Sequence, residues 1–151
     1  MGLFSFLSNT LPVDTDIIEQ AIAHLETQTS AELRVVVERK AKIENVEDAA
    51  VLRATQLFDE LKMYETAERN GVLIYLSFKP HYVAVIGDEG IHQKVGDDFW
   101  QKIYAAMCIA CQNGDYTKAI CDAIKTVETP LALHFPYFDD KNELSNEVVV
   151  K

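Results

Sequence analysis

The chain has 151 residues, 48% of them hydrophobic, and carries a formal net charge of −10. That suffices for one domain with a sizeable core, and the acidity argues against unaided binding to nucleic acid or to an anionic membrane. No apolar stretch approaches the ~20 residues of a membrane span. The start lacks the basic n-region of a signal peptide, and three cysteines form no even disulfide framework, so a cytoplasmic location is expected.

Phe4, Phe6 and Leu7 are expected to pack on the domain. Residues 14–27 read as a first helix. Pro12 precedes it, Asp14 can cap it, and Ile17, Ala21, Ile22 and Leu25 form one apolar stripe. Residues 32–38 read as a first strand with a triple-valine centre. Residues 47–63 read as a second helix, with Ala50, Ala54, Leu57, Phe58 and Leu61 facing inward. Two apolar runs, 72–78 and 82–86, then flank a short Lys-Pro-His break. That gap is too short for a helical crossover, so these strands should pair as an antiparallel hairpin. Neither run alternates cleanly, which places them in the middle of a sheet covered on both faces. Strand, helix, strand is a crossover unit, so the first two strands should run parallel.

After Gly90, residues 91–95 can form one short turn, and Gly96 breaks it. Residues 97–112 read as a helix with Phe99, Ile103, Ala106 and Ala110 on one face. Asn113-Gly114-Asp115 is a helix stop followed by a helix start. The next helix carries Tyr116, Ala119, Ile120, Ala123, Ile124 and Val127, and Pro130 is expected to end or kink it. Residues 1–137 should form one α/β domain with a mixed sheet between helices. Residues 138–151 should be a polar, partly ordered tail in which Val148-Val149-Val150 can add an edge strand.

Several motifs resemble the TPM-domain family. They are Thr29-Ser30-Ala31-Glu32-Leu33-Arg34-Val35, Met63-Tyr64-Glu65-Thr66 and Arg69-Asn70-Gly71-Val72-Leu73-Ile74-Tyr75-Leu76. Ile86-Gly87-Asp88-Glu89-Gly90-Ile91-His92, Val95-Gly96-Asp97-Asp98-Phe99-Trp100, Phe135-Pro136 and Asn142-Glu143-Leu144 follow in the same order. The chain looks like the short bacterial members, whose domain is not followed by a membrane anchor. The resemblance implies a three-layer α/β/α sandwich with a mixed sheet. The family also includes a plant thylakoid-lumen protein, a photosystem II repair-associated protein and a nematode receptor modulator. The resemblance implies calcium binding and acid phosphatase activity as the properties to look for. Lys62 stands where many members have glycine, so that helix end is a point of departure.

The expected topology gathers chemistry at one edge of the sheet. The start of the first strand (Ser30, Glu32), the start of the second (Arg69, Asn70) and the end of the third (Asp88, Glu89) meet there, and Asp97 and Asp98 follow by a short link. Hard divalent cations take several oxygen ligands, and glycine-flanked loops can turn carbonyls inward. The sharp expectation is a divalent-cation site with Asp88 at its centre, supported by Glu32, Glu89 and Asp97 or Asp98, with Asn70 and Arg69 at its border. Oxygen ligands alone do not separate Ca²⁺ from Mg²⁺; the family resemblance favours Ca²⁺. The competing reading is structural. Asp97 or Asp98 caps a helix, Glu32 pairs with Arg34 or Arg69, and Asp88 accepts hydrogen bonds from the next turn.

An enzyme needs a nucleophile or a metal-activated water. No Gly-x-Ser-x-Gly elbow and no phosphate-cradling glycine loop occurs. Asp14-Thr15-Asp16 opens a helix and reads as capping. Cys108 and Cys111 lie mid-helix, away from the helix start that would lower a thiol pKa. A zinc site with Cys121 and His134 is geometrically conceivable, and small apolar packing is the favoured role. The first functional expectation is therefore a cation-binding accessory or interaction module, with another protein as a possible partner. The alternative is a metal-dependent acid phosphatase at the same acidic edge.

Overall fold

The computed structural model describes residues 11–138 and 145–151. The expected packing of Phe4, Phe6 and Leu7, and the motif Asn142-Glu143-Leu144, lie outside the described residues. The described elements are α1 (Thr15–Gln28), β1 (Leu33–Glu38), α2 (Ala49–Glu60), β2 (Val72–Phe78) and β3 (His81–Gly87), then α3 (Glu89–Val95), α4 (Asp97–Gln112), α5 (Tyr116–His134) and β4 (Val149–Val150).

The sheet order is β3-β2-β1-β4. β1 and β2 run parallel, with Leu33 opposite Val72, as the intervening helix requires. β2 and β3 pair antiparallel along their whole length, with Phe78 opposite His81. The closing valines pair parallel to Val36 and Val37 of β1 and form the other edge.

Alternate side chains serve two separate cores, as the period of a strand dictates. Val35, Val37, Ile74, Leu76, Val83 and Val85 face the layer of α1, α4 and α5. Val36, Leu73, Tyr75 and Ala84 face α2, against Ala54, Leu57 and Phe58. β2 is central and buried on both faces. Each fully buried Val, Leu or Ile contributes about 1.5–3 kcal/mol. The three-layer α/β/α sandwich is the architecture found.

Two helices depart from expectation. α2 starts and stops inside the expected span, because its end is set by chain reversal. Lys62 takes φ +56°, and the Met63 amide donates to Phe58 O. This is the left-handed helix terminus that favours glycine, so the departure at Lys62 is a non-glycine residue in a glycine conformation. α5 continues past Pro130 to His134, so of the two expected effects the proline does not end the helix. The carbonyl that loses a partner to Pro130 belongs to exposed Thr126, where water can replace the bond. Beyond the proline, buried Leu131 and Phe135 hold the last turn on the core. Thr29 Oγ1 donates to Leu131 O at 3.0 Å.

Candidate functional site

The close of β3 and the approach to β2 form one corner. Gly71 O accepts from Asp88 N at 2.8 Å, which extends the hairpin by one pair. Asp88 then caps α3, accepting from Glu89 N at 2.7 Å. The rest of its carboxylate is engaged by one guanidinium. Arg69 Nε donates to Oδ2 at 2.7 Å and Nη2 donates to Oδ1 at 2.9 Å. Such a two-pronged pair is the strongest geometry a carboxylate and an arginine can make. Asp88 is buried, whereas the Arg69 side chain is 44% exposed. The hydrogen bonds to Asp88 come first among the causes that raise the Arg69 pKa.

Backbone geometry fixes this corner. Arg69 sits at φ +52°, a left-handed conformation that costs a non-glycine residue free energy. Its carbonyl accepts from Gly90 N at 2.8 Å. A Cβ on Gly90 would stand 2.1 Å from Glu68 O and 2.6 Å from Arg69 O. The glycine is therefore there to let α3 approach the 68–69 carbonyls, not to turn a ligand loop inward. Gly87 likewise admits the Trp100 ring, 2.4 Å from where a Cβ would lie.

The other expected residues have separate surroundings. Asn70 is buried, its amide donating to Thr66 Oγ1 at 3.2 Å. Its Oδ1 is buried with no hydrogen-bond partner among the described residues. Glu32 is buried and hydrogen-bonded to Glu26. Burial, the hydrogen bond to Glu32 and the charge of Glu32 push the Glu26 carboxyl up to about 9. The pair thus keeps a proton at neutral pH. Asn146 of the terminal segment hydrogen-bonds to Glu26, and Glu19 Oε2 accepts from Val148 N at 2.9 Å.

Glu89 is exposed, with Oε1 3.4 Å from Arg69 Nη1. Asp97 and Asp98 lie exposed in the first turn of α4, whose cap position is Gly96. They favour the helix dipole without a capping bond. Asp97 Oδ1 is 3.5 Å from His92 Nε2. His92 Nδ1 accepts from Trp100 Nε1 at 3.1 Å, so the neutral ring carries its proton on the nitrogen facing Asp97. Among the described residues, no three His, Cys, Asp or Glu side chains group closely enough to hold one metal ion. The conceivable zinc site of Cys108, Cys111, Cys121 and His134 is therefore not assembled.

A second arginine–carboxylate cluster had no place in the sequence reading. Glu38, at the end of β1, is fully buried. Its Oε2 accepts from Arg53 Nε at 3.0 Å and Nη2 at 2.6 Å, and its Oε1 accepts from Tyr75 Oη at 2.6 Å. Burial alone would raise the Glu38 pKa; the hydrogen bonds from Arg53 and Tyr75 outweigh it and hold the carboxylate below its ordinary range. Burial and Glu38 raise the Tyr75 phenol. The sequence signal was Arg53 on the buried stripe of α2, between Ala50 and Ala54. A charge on an apolar face needs a buried partner.

The TPM domain profile matches residues 6–129. The chain belongs to the TPM-domain family. The NMR structure of BA42 protein, from the psychrophilic bacterium Bizionia argentinensis, is similar at 32% identity with a TM-score of 0.79, covering 92% of this chain and 95% of that one. No curated protein matches this chain. In this TPM domain, no helix among the described residues is long and apolar enough to cross a membrane.

Proposed function

We propose that this TPM domain is an accessory module that works by binding, and that a divalent cation, Ca²⁺ in the first place, is the ligand of the Asp88 corner. The observation that carries this reading is the buried Oδ1 of Asn70, which has no hydrogen-bond partner among the described residues. A buried carbonyl oxygen without a donor is costly, and a hard cation satisfies it. Beside it in sequence, Arg69 already supplies the positive charge that Asp88 requires, from a side chain open enough to swing into solvent. The cation would replace that guanidinium, with Asn70 Oδ1 and the Asp88 carboxylate as protein ligands and exposed Glu89 within reach of the same arginine. Glu32, Asp97 and Asp98 stay outside this ligand set, each held in its own surroundings. The three free cysteines fit a reducing, cytoplasmic setting.

Metal-dependent phosphate-ester hydrolysis at the same corner is the second reading. It draws on the half-exposed Arg69 guanidinium, which suits a phosphate oxygen. Its nucleophile would be a metal-activated water, not a thiolate of Cys111 or Cys121. Burial raises the Cys111 thiol to about 11 and raises Cys121 as well, which removes the thiolate that attack needs.

Thermal unfolding with and without calcium tests the binding reading. Ca²⁺ at a hundredfold excess over its Kd should stabilise the wild type by about 2.7 kcal/mol. The gain should vanish in Asn70→Ala and Asp88→Asn while each variant keeps a cooperative transition. A gain that both variants retain would contradict it.

A further inference from the structure

We propose that Cys108 and Cys111 form a two-thiolate site for a soft monovalent metal ion, Cu(I) in the first place, apart from the oxygen ligands of the Asp88 corner. Both thiols are free and partly buried. They stand three residues apart on α4, with Tyr104 four residues before Cys108, so the three side chains share one face of the helix. That face lines a hollow of about 280 Å³ against the start of β3, which His81 also lines.

The two thiols sense each other. Burial first, and then the charge of Cys108, raise the Cys111 thiol, so the sulfur atoms are neighbours. The Tyr104 hydroxyl donates to Cys108. A donor to a ligand sulfur fixes its orientation, as partners outside the coordination shell do in metal sites. Cys121 lies apart on α5, beside Asp122 and Asp14.

Spacing favours a metal over a disulfide. Residues three apart on a helix hold their Cβ atoms about 5–6 Å apart, and a disulfide needs about 3.5–4.5 Å. A linear sulfur–metal–sulfur bridge with bonds of about 2.3 Å spans about 4.6 Å between its sulfurs, within reach of both side chains without bending the helix. Ligand number then selects the metal. A structural Zn²⁺ takes four ligands, whereas among the described residues no three His, Cys, Asp or Glu side chains group closely enough to share one ion. Soft thiolates select Cu(I), and two of them satisfy it in linear geometry. Two Cu–S bonds form, both S–H protons leave to solvent and no electron moves, so uptake strengthens as pH rises.

Anaerobic titration of the reduced full chain with Cu(I), against a chromophoric Cu(I) chelator, tests the site. The wild type should take up one equivalent per chain, seen in a thiolate-to-metal ultraviolet band. Cys108→Ser and Cys111→Ser should each weaken binding at least about a hundredfold, the upper end of what losing a partner outside the shell costs. Cys121→Ser and His81→Ala should leave the affinity unchanged. A second readout needs no variant: in the wild type, Cu(I) should slow alkylation of Cys108 and Cys111 and leave Cys121 at its metal-free rate, followed residue by residue by mass spectrometry. No uptake by the wild type, or affinity retained in both Cys108→Ser and Cys111→Ser, would overturn the proposal. So would a loss in Cys121→Ser or His81→Ala as large as in the pair, or half an equivalent per chain, which would place the metal between two copies.

Discussion

The two ends of the sheet carry the same chemistry in opposite settings. At one end Arg53 and Tyr75 close on Glu38 with every partner buried; at the other Arg69 closes on Asp88 from a side chain 44% exposed. Because β1 and β2 are parallel, the end of β1 and the start of β2 lie at opposite edges. The buried cluster has its counter-charge built into the fold and cannot exchange it without unfolding. The open corner has a counter-charge that solvent can take, and the residue after Arg69 carries a buried carboxamide oxygen without a hydrogen-bond partner among the described residues. Burial, not residue type, separates the structural pin from the corner proposed to bind.

Arg53→Ala should give the largest effect. Removing one partner leaves Glu38 buried and unpaired, a loss of about 3–5 kcal/mol by chemical denaturation. A loss below about 1 kcal/mol would break the comparison, because the two ends would then be alike. Gly90→Ala comes next. Its Cβ meets two backbone carbonyls, and the forced shift should cost about 1–3 kcal/mol and weaken any cation response at Asp88. Arg69→Ala should cost less than either, since its guanidinium already stands in water, and it should leave the calcium response in place. Loss of that response would make Arg69 part of the site.

The pH dependence sharpens the same contrast. The Glu26 carboxyl is raised from 4.5 to about 9, so the folded state holds a proton that the unfolded chain releases. Its stabilising contribution is complete below pH 4.5 and is lost as pH rises toward 9. Glu38 has the opposite sign: its pKa is lowered, so its contribution is present above the unfolded value and is lost as pH falls through the folded one. Glu26→Gln should therefore flatten the stability profile between pH 5 and 9 and leave the acid limb intact. The smallest effect is expected from Lys62→Gly, which should gain about 1 kcal/mol by relieving φ +56°.

Much of this fold was legible because apolar periodicity and connection length both bear on it. The Lys-Pro-His gap between two apolar runs left no room for a crossover, and the hairpin follows. Gly96 and Gly114 marked helix limits and take φ +76° and +79°. Whether Pro130 ends its helix depends on whether the orphaned carbonyl reaches water, which periodicity does not report. The corner was legible as a place and not as a set of contacts. Topology brought Arg69, Asn70 and Asp88 to one edge, but no pattern in the chain says that Glu32 meets Glu26, since the two lie on different elements and meet only in three dimensions. Nor does it say that Gly90 serves a close backbone approach.

An amide-resolved NMR titration of the metal-free, isotope-labelled protein with calcium tests the central contrast most directly. Saturable shifts at Arg69, Asn70 and Asp88 to Gly90, with Glu38, Arg53 and Tyr75 unmoved, are the predicted result. Shifts that are absent, or spread evenly over the acidic surface, would contradict the assignment of the open corner as a cation site.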